Sequence, residues 1–238
     1  MQRIERKSKN MKYIFFLLVF FTAKVSFSQQ ITYDQFKEEA KTEINLRPEY
    51  GNVKKDKELL EEDKKFIDFE LKQNGTLQKA SEELVKLGFS YLYKGDLKTS
   101  MRRFNQAWLL NPKNENSYWG FGAIYFTFND KEEALKQLER GLLINPNSSN
   151  ILTDKATIYM SFSMDSHKPD YLDKAITIFN QSYKIDPTNK NTLFKLSAAY
   201  YYKKDYLNAW RFYDECLKLG GQQISSGYLE ALKKQCNR

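Results

Sequence analysis

The chain has 238 residues, 38 Lys and Arg against 30 Asp and Glu, one histidine, two cysteines and a net charge of +8. Six of the basic residues and one acid lie in residues 1–28, so that stretch carries +5 of the +8 and the remainder only +3. A basic balance concentrated at one end gives nucleic-acid binding little support. The single His167 has only Asp165 and Asp170 beside it, short of the three or four ligands of a metal site.

Residues 1–28 predict an export signal. Arg3, Arg6, Lys7, Lys9 and Lys12 form a basic start, Tyr13 to Phe21 is an unbroken apolar run, and Ser26 and Ser28 supply small residues at −3 and −1 of a cleavage point. The run is shorter than the roughly 20 apolar residues of a membrane span. An uncleaved N-terminal anchor is the alternative, and either Met1 or Met11 can begin a complete signal.

Residues 29–80 predict a less regular helical cap. Helical patterns cover 33–46 and 55–73, parted by Arg47-Pro48-Glu49-Tyr50-Gly51-Asn52. In the second pattern Leu59, Leu60, Phe66, Ile67 and Phe69 fall broadly to one side.

Beyond this the chain repeats. Pro112, Pro146 and Pro187 follow Asn111, Asn145 and Asp186, and Tyr91, Tyr125, Tyr159 and Tyr200 recur at intervals of 34, 34 and 41 residues. Gly88, Gly122, Ala156 and Ser197 keep the same intervals, as do Leu84, Tyr118, Leu152 and Leu193. Ser100, Ala134, Ala175 and Ala209 form a second small-residue series. Large, small and aromatic positions at helical spacing predict two helices per unit, with small residues where the helices cross. Asp96, Asp130, Asp170 and Asp205 stand where they can cap the second helices. The third unit is seven residues longer, and the excess is expected as an insertion at 161–170, in its inter-helix turn.

These positions resemble the tetratricopeptide repeat (TPR) family. The resemblance covers 81–221 as four units: 81–114, 115–148, 149–189 and 190–221. It departs at Lys155, where an apolar residue is expected, and at Gly220-Gly221, which replaces the closing proline. It implies an all-α right-handed superhelix of helical hairpins, closed by a last helix within 222–238 whose Tyr228, Leu229 and Leu232 cover unit four. Cys216 then reads as a small packing residue rather than a disulfide partner of Cys236.

In this family the first helices line a concave groove. Carried over, the groove positions are Phe89, Tyr93, Trp119, Phe126, Asn150, Asn191, Phe194, Lys195, Tyr201 and Tyr202. The places where some members hold a carboxylate clamp carry Val85, Phe89, Gly120, Asn150 and Asp154, so the clamp is missing. No phosphate loop, nucleophile elbow or metal cluster appears, so no enzyme and no cofactor or metal is expected. The expected protein is an exported scaffold that binds another protein or peptide in an aromatic groove, with no nucleic acid and no stable membrane insertion after cleavage. Its oligomeric state stays open. The alternative is an assembly subunit acting through its outer face, its groove filled by its own N-terminal segment.

If the signal is cleaved as read, intact-mass measurement of the exported form gives a chain beginning at Gln29. A species that keeps Met1 or Met11 favours the anchor.

Overall fold

The computed structural model describes residues 31–166, 168–221 and 226–235. The residues read as an export signal and its cleavage point, His167 and Cys236 lie outside the described residues. What is described is all-α. Two leading helices, α1 (Tyr33–Thr42) and α2 (Lys57–Asn74), precede four hairpins. These are α3 (Leu77–Tyr93) with α4 (Leu97–Leu110), α5 (Glu115–Thr127) with α6 (Lys131–Ile144), α7 (Ser149–Ser166) with α8 (Pro169–Ile185), and α9 (Lys190–Tyr202) with α10 (Tyr206–Lys218). A last helix, α11 (Ser226–Gln235), packs on α10.

The turns follow from residue chemistry. Asp96, Asp130 and Asp205 accept hydrogen bonds from the backbone N–H groups of Thr99, Glu133 and Asn208 at 3.0, 3.0 and 3.1 Å, satisfying donors that a helix start leaves orphaned. The residue before each cap is left-handed: Gly95 at φ 78°, Asn129 at 62° and Lys204 at 63°. Between units, the side chains of Asn111, Asn145 and Asp186 accept from the backbone two residues on, at 3.1, 3.1 and 2.9 Å, beside the proline that ends the helix.

The third hairpin departs from expectation. Its extra residues do not make a long turn: α7 runs to Ser166 and α8 begins at Pro169, so both helices are longer. The stretch from Ser161 to Ser166 has no glycine or proline to stop it, and Phe162 packs on Tyr171 at 5.5 Å. Asp170 consequently sits inside the first turn of α8, where its charge suits the helix dipole, and Lys168 holds the cap position without a side-chain bond.

Inside each hairpin a large side chain of the second helix enters the space left by small residues. Phe104, Leu138, Phe179 and Tyr213 occupy equivalent places, and all are buried. Phe104 shows how tight this is: a Cβ on Gly88 would lie 2.5 Å from its ring, and one on Gly120 2.3 Å. Where the small residue is serine, its hydroxyl bonds across the crossing, Ser100 to the Gly88 carbonyl at 2.9 Å and Ser197 to that of Ala209 at 2.7 Å. Lys155, at an expected apolar place, reaches Glu139 at 3.0 Å.

First helices also touch one another in sequence, α3 to α5 to α7 to α9, while each second helix packs on the following first helix. The stack therefore bends with its first helices inside. The leading segment crosses the opposite, outer face. Lys98 and Arg102 of α4 pair with Glu39 and Glu43 at 2.9 and 2.6 Å, and Asn105 donates to the carbonyls of Asn45 and Arg47, both at 2.8 Å. Tyr33 donates to Asp130 on the next unit at 2.5 Å. The crossing ends in a left-handed turn at Glu49, Tyr50, Gly51 and Asn52. Glu49 is buried there, accepting from Tyr118 at 2.5 Å and from Arg140. Burial alone would raise its carboxyl, but bonds from Tyr118, Arg140 and Asn52 hold it below the usual range. Helix α2 stacks on α3 through Phe66 and Ile67, whereas Leu60 and Phe69, read as part of the same face, are 55% and 58% exposed.

Gly122 and Lys136 give a test of this packing. A Cβ at Gly122 would meet Leu138 at 2.7 Å and the Ala134 carbonyl at 3.2 Å, while Lys136 is exposed with only Glu133 at 3.2 Å. Gly122→Leu is expected to cost about 1–3 kcal/mol and Lys136→Leu no more than about 0.5 kcal/mol. Equal melting shifts for the two variants would contradict this assignment.

Candidate functional site: the inner groove

The inner face holds a hollow of about 310 Å3 walled by first helices of all four units. Repeat register explains why it is open. Ala123 and Thr157 stand 34 and 68 residues after Phe89, at the same place in their units. One ring and two small side chains in a row leave a gap, which Phe89 and Tyr93 border on one side and Trp119 and Phe126 on another. The Phe89 and Trp119 rings touch, with centroids 4.3 Å apart, and Phe89 and Tyr93 lie 6.3 Å apart with their planes inclined at 29°. Tyr93 is 82% exposed and forms the rim.

The polar side is built by α7 and α9. Asp154 accepts a hydrogen bond from the Trp119 indole N–H at 2.6 Å. Burial raises the Asp154 carboxyl above its ordinary value; the Trp119 bond and the positive charge of Lys195 pull it down only in part. Among the described residues no lysine or arginine forms an ion pair with it. Asn191 and Lys195 complete the lining.

Of the ten groove positions read from sequence, six meet in this hollow: Phe89, Tyr93, Trp119, Phe126, Asn191 and Lys195. The other four do not. Asn150 is exposed and accepts from Asn189 at 2.9 Å. Phe194 and Tyr201 turn to the chain end, packing edge-on against Tyr228 of α11 at 5.7 and 5.8 Å. The cause is structural: unit four has no following first helix, and α11 covers the rings that would meet one. Tyr202 lies beside Met160, Met164 and Leu172 around a separate hollow of about 370 Å3 made by the lengthened third hairpin. Val85, one of the clamp positions, is buried, as are Thr153, Met160 and Ala198 on the later first helices.

The pairing of Trp119 with Asp154 escaped the sequence reading. The repeat contained the signal, since Asp154 stands 35 residues after Trp119, one past its in-register place on the next first helix. The pairing also alters the role of Trp119: its removal strips Asp154 of a part-buried donor, so Trp119→Ala is expected to destabilise the fold besides opening the groove.

Residues 115–148 match the tetratricopeptide repeat family model. No curated protein sequence matches the chain. Among solved structures, TTC0263, a thermophilic TPR protein of Thermus thermophilus, aligns with a TM-score of 0.55 at 13% identity over 65% of this chain and 80% of that one. MamA from Desulfovibrio magneticus RS-1 aligns at 0.46 and 17% over 68% and 97%, and YrrB, a TPR protein with an unusual peptide-binding site, at 0.45 and 16% over 84% and 97%. The fold is thus an all-α stack of TPR-type hairpins. Residues 115–148 carry a TPR repeat, and the described hairpins stack as in solved TPR structures. Among the described residues no helix is long and apolar enough to cross a membrane.

The raised Asp154 carboxyl has a pH consequence. A carboxyl whose folded value lies above its unfolded one binds its proton more tightly in the folded state. Its contribution is most favourable below the ordinary value of 3.8 and is lost as pH rises through the window above it. Asp154→Asn keeps an acceptor for Trp119 and removes the charge, so its melting temperature should exceed wild type at pH 7 and the gap should close below pH 3.8. A variant less stable than wild type at both pH values would show that the charged carboxylate stabilises the fold.

Proposed function

We propose that this protein is an exported scaffold whose inner groove binds an extended or helical segment of another protein. The carrying observation is the hollow bordered by Phe89, Tyr93, Trp119 and Phe126, which none of the described residues of the leading segment lines. Aromatic anchors in a concavity are the side chains that dominate binding energy when a partner desolvates them. The path of residues 33–52 across α4 and α6 weighs against the rival in which they fill the groove. Export rests on the basic and apolar pattern of residues 1–28.

Photo-crosslinking separates this reading from action through the outer face. Tyr93 on the groove rim and Leu143 on second helix α6 are equally open, 82% and 83% exposed. A crosslinker at position 93 should capture a partner in cells, and one at position 143 should not. With that partner purified, Tyr93→Ala should weaken binding by about 2 kcal/mol, roughly thirtyfold, without changing the melting temperature. Capture from position 143 alone would replace the groove by the outer face.

A further inference from the structure

Asp154 sets the chemistry the groove can accept. Among the described residues it is the one carboxylate lining the hollow. A carboxylate has about four acceptor positions, yet its side chain takes one hydrogen bond, from Trp119, and has no ion-pair partner among the described residues. Asp154 is half-buried, and a charge withdrawn from water is ordinarily paired, because an unpaired one is costly. Lys195 makes no such demand: it is no more buried than Asp154, but its long ammonium side chain can keep its head in water, whereas the short carboxylate is held at the Trp119 indole. The unmet requirement in the hollow is therefore for positive charge.

The walls favour the same ligand. Ring faces attract cations, and Phe89, Tyr93, Trp119 and Phe126 border the space beside the carboxylate. A planar guanidinium can stack on such rings while donating two parallel bonds to a carboxylate, which an ammonium cannot do.

We propose that the hollow receives a cationic side chain of the partner segment, arginine in preference to lysine, with Asp154 as its counter-charge and the aromatic rings as its walls. This rests on the inner groove being the partner-binding face. Lys195, the in-register counterpart of Asp154 on α9, is the competing internal cation that the ligand displaces from influence.

Short random peptides displayed on phage supply the probe. They are selected on the purified whole protein and counter-selected on Tyr93→Ala, so that groove-dependent binders are kept. These binders should share an arginine or lysine. In synthetic copies, replacing that residue by glutamine should lower affinity about tenfold on wild type and hardly at all on Asp154→Asn. Asp154→Glu, which keeps the charge, should restore part of the discrimination, and Lys195→Ala should tighten the cationic peptides. Each variant's melting curve confirms that folded protein is compared. Groove-dependent binders without a cation, or acidic ones that need Lys195, would overturn the cation assignment while leaving the groove reading intact. An absence of Tyr93-dependent binders would overturn both.

Discussion

Everything in this molecule depends on how closely two helices of a hairpin can approach. A hairpin of two short helices cannot bury its own apolar stripe, so it gains stability by passing large side chains between neighbours. Phe104 is the clearest case. Its ring lies against Gly88 in its own unit and Gly120 in the next, where a single added carbon would come within 2.5 Å or less. One ring thereby fixes the spacing inside a hairpin and the spacing between hairpins. Interiors packed to this density do not deform smoothly, so the distance between first helices, and with it the groove, is set by the core rather than by the groove's own side chains.

The leading segment acts on the same geometry from outside. Its bonds to Asn105 and Arg102 lie on unit one, and those to Asp130, Tyr118 and Arg140 on unit two. Tying the outer faces of two units together limits how far their inner faces can open. The turn that completes the tie holds Glu49, Tyr50 and Asn52 left-handed, a conformation that costs non-glycine residues energy. Charge-assisted bonds to the Glu49 carboxylate, together with Lys55 resting 3.7 Å over the Tyr50 ring, offset that cost. This segment packs as part of the scaffold, and none of its described residues lines the aromatic hollow.

Much of the fold was legible because a repeat states each rule several times. Asp96, Asp130 and Asp205 could be read as caps since each stood before the same pattern. Asp170 looked alike and was not one, because a capping site is defined by where the helix begins, and Pro169 began it earlier. The groove was legible where units have neighbours on both sides. It failed at Phe194 and Tyr201, whose surroundings come from α11, an element outside the period. The crossing at Glu49 was invisible for a related reason: its partners lie 69 and 91 residues away, on helices whose own pattern gives no sign of a visitor.

The groove's character lies in the breaks of the repeat. Positions that hold the stack together keep their chemistry from unit to unit, since each must solve the same packing problem. The position of Asp154 does not: it is Lys86 in unit one, Gly120 in unit two and Lys195 in unit four. At Gly120 no side chain is possible because the Phe104 ring occupies the space, and in the next unit the same place is free to carry a carboxylate into the hollow. Trp119, one place out of register on the preceding first helix, reaches it with the indole N–H. Asp154 answers no packing need of the stack, and its carboxylate faces the hollow. The scaffold's regularity supplies the cavity, and the irregular Asp154 supplies the carboxylate that lines it.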